Sequence, residues 1–160
     1  MHALSKLVTL GVVVVVASAV AGTVSTQTNP HFGTGKLNVA KSTFSPGPAP
    51  KSKTLVFVAA GQGVKLSVEG VNADGSKNAF THTANYDGKD VPLTGLATVD
   101  AVSLKRINAT TVEETRKKGG KVVVTFTRVM SADGKSLTIT AKGANAQGQA
   151  VSNVELYEKQ

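Results

Sequence analysis

The 160-residue chain has no cysteine, no tryptophan, and only five phenylalanines and two tyrosines. Without cysteine there is no disulfide scaffold, no thiolate metal site and no lipid-modified cysteine. A chain of this length buries enough apolar surface to do without such staples. The scarcity of aromatics argues against nucleic-acid recognition, which relies on stacking rings or on a reading helix. Acidic residues are also few, ten against eighteen Lys and Arg, for a formal charge of +8. A basic surplus can mark a nucleic-acid or anionic-surface partner. Here the lysines are scattered, and the one small cluster, Lys117, Lys118 and Lys121, flanks Gly119-Gly120 as a solvated hairpin tip would.

Only one apolar run is long. Leu7 to Ala21 follows a short start carrying Lys6 and ends in Ala17-Ser18-Ala19 and Ala19-Val20-Ala21, both of the small-x-small form. It falls short of the ~20 residues that span a bilayer, so residues 1–21 are expected to be a cleaved signal peptide, with a retained anchor as the alternative. The expected location is secreted or periplasmic, with no integral membrane segment after cleavage. Residues 22–32, rich in Thr, Ser, Gln and Asn and containing the turn signal Asn29-Pro30, read as a flexible leader. Residues 33–160 read as the folded domain.

That domain is written in short runs of Val, Leu, Ile, Thr and Phe separated by glycine turns. Asn72-Ala73-Asp74-Gly75, Asp87-Gly88, Gly119-Gly120, Ser131-Ala132-Asp133-Gly134 and Asn145-Ala146-Gln147-Gly148 place Gly where φ must be positive, mostly with Asp or Asn nearby to bond the local backbone. About ten strands fit between the turns, near 35–39, 54–60, 63–69, 78–86, 89–93, 100–107, 110–116, 121–130, 136–142 and 150–158. No amphipathic helix is legible, and Ser45-Pro46-Gly47-Pro48-Ala49-Pro50 forbids helix and strand alike. Strands joined by tight hairpins must hide their edges. The predicted fold is therefore all-β, an antiparallel up-and-down β-barrel of about 8–10 strands, with a β-sandwich as the alternative.

The hairpin meander, the opening Gly33-Thr34-Gly35-Lys36-Leu37-Asn38 and the ending Val154-Glu155-Leu156-Tyr157-Glu158-Lys159-Gln160 resemble the calycin group, that is, the lipocalins and fatty-acid-binding proteins. Phe44-Ser45-Pro46-Gly47-Pro48 and Tyr86-Asp87-Gly88-Lys89-Asp90 are similar to segments of small secreted bacterial proteins of this shape. The resemblance implies a lipocalin-like barrel over residues 33–160. Three departures limit what else it implies. Gly35 stands where lipocalins carry a plugging Trp, and Glu155 stands where fatty-acid binders carry an Arg two residues before the terminal Tyr. A Pro-rich loop replaces their helical closure. The barrel carries over; fatty-acid binding does not.

Of three histidines, His2 lies in the signal, His31 in the leader and only His82 in the domain, so no imidazole pair is available for a metal. No Ser sits on a Gly-x-Ser-x-Gly elbow and no Gly-rich phosphate loop opens a helix. No catalytic residue, metal or cofactor is expected, and the protein is read as a non-enzyme. Alternation places Phe80, His82, Ala84 and Tyr86 on one strand face, Val102, Leu104 and Arg106 on another, and Val122, Val124, Phe126, Arg128 and Met130 on a third. If those faces point inward, Arg106 and Arg128 bring cations into the barrel, which calls for an anion. Two alternatives stay open. The arginines could sit near strand ends with their heads in water, or Val123, Thr125, Thr127 and Val129 could form the core face instead. His82 reads first as a wall residue. The predicted ligand-binding set is His82, Tyr86, Arg106, Phe126 and Arg128, around a small apolar or amphiphilic molecule with its acidic end near Arg106 or Arg128. The competing readings are a protein–protein module such as a protease inhibitor, docking through residues 45–50, and a surface component without a discrete site.

Overall fold

The glycine turns found in the sequence reverse the chain, and consecutive runs pair with each other everywhere except across Asp87-Gly88. The computed structural model describes residues 29–145 and 147–160; the expected signal peptide lies outside the described residues. Ten strands form: β1 (Gly33–Leu37), β2 (Ser52–Ala60), β3 (Gly63–Val71), β4 (Lys77–Ala84), β5 (Val91–Pro92), β6 (Ala101–Arg106), β7 (Thr111–Lys118), β8 (Lys121–Met130), β9 (Ser136–Ala144) and β10 (Ala150–Lys159). They make one antiparallel sheet in the order β4-β3-β2-β1-β10-β9-β8-β7-β6-β5. First and last strands meet, with Gly35 opposite Lys159 and Leu37 opposite Tyr157. Between the free edges, β4 and β5, only the bridges Thr81 to Thr94 and Asp87 to Lys105 cross the seam among the described residues. The result is a nearly closed barrel, as expected, and the single sheet rules out the sandwich.

Closure of that seam depends on a glycine. Gly95 has φ of 95°, and a Cβ there would lie 2.8 Å from the Ala79 carbonyl oxygen on β4. Only glycine combines that backbone with so close an approach. A second close approach, at Gly143, accompanies a bulge. Its absent Cβ would fall 2.2 Å from the Val123 carbonyl, beside the shift in register where Arg116 pairs with Val124 but Lys117 with Val122. The extra residue, Val123, reverses the alternation at the start of β8.

Alternation otherwise sorts the faces. Leu55, Phe57, Val64, Leu66, Val68, Val102, Leu104, Val112, Leu137, Ile139 and Tyr157 fill the inside. Each such side chain contributes about 1.5–3 kcal/mol by leaving water. One end of the barrel is closed. Asn29 to Phe32, grouped in the sequence with the flexible leader, pack beneath it: His31 is buried and Phe32 joins the core. Lys159 Nζ donates to the carbonyls of Pro30 and Phe32 at 3.0 and 2.7 Å, and Asn29 Nδ2 donates to the Tyr86 hydroxyl at 2.9 Å. The opposite end, ringed by the Pro-rich loop and the β3–β4, β5–β6, β7–β8 and β9–β10 connections, is open.

Candidate functional site

Between these ends lies a cavity of about 630 Å³. Its walls are aliphatic on one side, with Leu55, Leu66 and Val68 from β2 and β3. On the other side polar side chains enter from three strands: Glu114 and Arg116 from β7, Arg128 from β8, and Glu155 and Tyr157 from β10. They come together because paired positions share a face. Glu114 is opposite Phe126, Arg128 is opposite Ile139, and Ile139 is opposite Glu155.

Glu114 is the centre of this group and is fully buried. One carboxylate oxygen accepts from Arg116 Nε at 2.5 Å, and the other meets Arg128 Nη2. One carboxylate thus bridges two guanidinium groups, and the trio keeps one positive charge. Rings hold the cations in place. Arg116 lies between Phe80 and Phe126, 4.6 and 4.4 Å from their centroids, and Arg128 lies 5.2 Å over Phe57. Flat, weakly hydrated guanidinium groups suit such surroundings better than ammonium does. Burial pulls the pKa of both arginines down, to about 10 in each case, which still leaves them charged at neutral pH.

The second cluster stands nearer the mouth. Lys53 Nζ donates to both oxygens of Glu155, at 3.0 and 2.8 Å, and the buried Tyr157 hydroxyl donates to the same carboxylate. Burial, with the Glu155 charge adding to it, pushes the Tyr157 phenol well above its ordinary range, so it remains a donor. Lys118 borders the cavity but is exposed and faces Asp100; inward of it, Lys53, Arg116 and Arg128 face Glu114 and Glu155. A surplus of one positive charge is therefore held in a largely apolar chamber, where screening by water is weakest.

His82 stands against the trio without joining it. Its Nε2 is 3.8 Å from Glu114, beyond hydrogen-bond reach, and neither ring nitrogen has a partner among the described residues. Burial, reinforced by Arg128 and Arg116, holds its pKa down to about 3. The imidazole is neutral and forms wall.

The residues read from alternation separate here. Phe126 and Arg128 line the cavity, and His82 packs behind it. Tyr86 and Arg106 do not reach it. β4 ends at Ala84, the chain turns, and Tyr86 goes to the closed end, where the Arg106 guanidinium stacks 4.1 Å over its ring. Val122 also departs from its expected face: the bulge turns it outward, 60% exposed, and Val123 lines the cavity instead. The alternative face fails for the rest of β8, where Thr127 and Val129 are exposed and Arg128 and Met130 are buried. Lys53, Glu114, Arg116, Glu155 and Tyr157 were not in the sequence-derived site.

A second, outer hollow adjoins the mouth. It measures about 440 Å³ and is lined by Phe44, Pro48 and Pro50 of the β1–β2 loop, and by Asn72, Ala73 and Asp74 of the β3–β4 turn. Lys53, Asn78, Asn153 and Glu155 line both spaces. The loop is fixed to β10: Ser45 N–H donates to Asn153 Oδ1 at 2.9 Å, and Ser152 N–H donates to the Ser45 carbonyl at 2.8 Å.

No protein-family model matches the chain, and no curated protein matches it in sequence. Among solved structures it is similar to the zebrafish ileal bile acid-binding protein complexed with cholic acid, at 13% identity, over 82% of this chain and 99% of that one, with a TM-score of 0.49. The barrel assignment rests on strand order and register: ten antiparallel strands in one nearly closed sheet.

Proposed function

We propose that the barrel holds a small amphiphile bearing a single anionic group, and that it does so outside the cytoplasm as a binding protein. One observation carries this reading. A chamber of about 630 Å³, of the size that encloses small ligands, gathers Lys53, Arg116 and Arg128 against only Glu114 and Glu155, while Lys118 at its border is exposed and faces Asp100. A buried charge without a partner is costly, so an entering carboxylate or sulfonate gains where a neutral molecule does not. Arg116 is placed to receive it. Its Nε is engaged by Glu114, while its terminal nitrogens have no hydrogen-bond partner among the described residues. The aliphatic wall of Leu55, Leu66, Val68 and Ile139 takes the apolar body.

The test compares dodecanoate with dodecanol by calorimetry on the purified chain. Dodecanoate is expected to bind more tightly, and Arg116→Gln to weaken dodecanoate by about tenfold or more while barely changing dodecanol, as the loss of a charge-assisted bond implies. Equal binding of the two probes, unaltered by Arg116→Gln, overturns the reading.

A further inference from the structure

The two spaces at the mouth differ in charge. The inner chamber keeps a surplus positive charge. The outer hollow adds only Asp74 to the shared Lys53–Glu155 pair, and Lys51 stands near that carboxylate, so no surplus positive charge is held there. An anionic group is thus drawn inward in preference to the outer hollow, so a ligand that fills both has a fixed direction.

The lining of the outer hollow indicates what belongs there. Phe44, Pro48 and Pro50 supply flat apolar faces, and Asn72, Asp74, Asn78 and Asn153 supply amide and carboxylate groups around them. Some of that capacity is already used. Asp74 Oδ1 accepts from the Ser76 N–H and hydroxyl at 2.8 and 2.6 Å, Asn72 Nδ2 donates to Ser76 Oγ at 2.9 Å, and Asn153 Oδ1 accepts from Ser45. Asp74 Oδ2, the Asn72 side-chain oxygen Oδ1, the Asn153 amide N–H groups and both ends of the Asn78 side chain have no hydrogen-bond partner among the described residues. Lys53 gives two of its three protons to Glu155. Apart from the Asp74 carboxylate and the Lys53 ammonium, these are neutral amide donors and acceptors beside apolar plates. An alkyl chain laid across them strips their water and returns nothing. A ring with C–H faces and several hydroxyls satisfies both kinds of surface.

We propose that the outer hollow and the shared neck form a headgroup subsite for a neutral, hydroxyl-rich group of sugar type. This group is joined to an apolar body whose acidic end lies on Arg116; the inference rests on the reading of the barrel as a carrier of an anionic amphiphile. The ligand class is therefore an amphiphile polar at both ends, with acid inward and polyol outward. The Lys53–Glu155 pair stands at the junction between its two parts.

The experiment titrates the full chain with ω-hydroxydecanoic acid, with the β-glucoside of its ω-hydroxyl, and with the matching ω-trimethylammonium acid. The glucoside is expected to bind about tenfold more tightly than the parent acid, roughly what one or two added hydrogen bonds supply. Phe44→Ala is expected to return it to the affinity of the parent. Asn72→Ala, in an exposed turn where folding is not at stake, is expected to remove part of the gain. If none of the three binds, the barrel reading falls and this one falls with it. If the acid binds and the glucoside gains nothing, or the trimethylammonium acid gains instead, the headgroup assignment is overturned while the barrel reading stands.

Discussion

The closed end and the middle of the barrel use the same kinds of side chain for opposite purposes. At the closed end, Lys159 gives its protons to two backbone carbonyls, Asn29 bonds Tyr86, and Arg106 covers the Tyr86 ring. Nearly every polar group there is consumed by another part of the chain, His31 Nε2 being the buried atom left without a partner among the described residues, and the segment is sealed. At mid-barrel, two arginines share one carboxylate and a third cation stands behind the second. There the demand of the cations exceeds what the chain supplies. Whether a polar interior closes or receives depends on that remainder, not on residue type.

The sharpest way to break this contrast is Glu114→Gln. It leaves Arg116 and Arg128 buried without a counter-charge, and a loss of about 3–5 kcal/mol in urea unfolding is expected. The surviving folded protein is expected to bind dodecanoate more tightly than the wild type, since the unmet positive charge has grown. A stability change under about 1 kcal/mol would mean that Glu114 is not the shared anion.

Acid tests both ends at once. His31 at the closed end and His82 at mid-barrel are held neutral, burial being the main cause, with pKa values of about 4 and about 3 against an ordinary 6.5. The unfolded chain takes up protons that the folded one refuses. Stability is therefore whole above pH 6.5 and declines as pH falls through 6.5 toward those lower values. Unfolding midpoints at pH 7 and pH 4.5 should show the decline, and His82→Leu should flatten it. Equal slopes in both proteins would remove His82 from the account.

Smaller effects mark the closed end. Lys159→Met strands the carbonyls of Pro30 and Phe32, and a loss of about 1–3 kcal/mol is expected with ligand affinity unchanged. Arg106→Gln removes one exposed cation–π contact and should cost no more than about 1 kcal/mol. It should leave dodecanoate binding as it was; weaker binding would place Arg106 at the cavity after all.

Much of the barrel could be read from its turns, because glycine beside Asp or Asn marks the reversals at Gly75, Gly88, Gly134 and Gly148 almost regardless of the strand each leads into. The site was only partly legible. Arg128 shares parity with Phe126 and Met130, so alternation found it. Glu114 and Arg116 lie in Thr111–Lys118, where both faces are polar and Val112 alone fixes the phase. In β10 the hydrophobic signal points the wrong way: Val154 and Leu156 suggest one inner face, but Val154 is 40% exposed and Glu155 and Tyr157 turn inward. Pairing across β9, not local pattern, decides that register. Arg106 has inward parity yet stands at the last position of its strand, where its head escapes to the tyrosine. The bulge at Val123 could not be read from hydrophobicity, since three consecutive valines carry no phase.

Asn29 and Gln160 both sit at the sealed base of the barrel, the latter through a bond from its N–H to the Thr34 carbonyl. A tether attached through Gln160 would therefore hold the molecule like a cup on its stem, with its rim turned away from whatever it is fixed to.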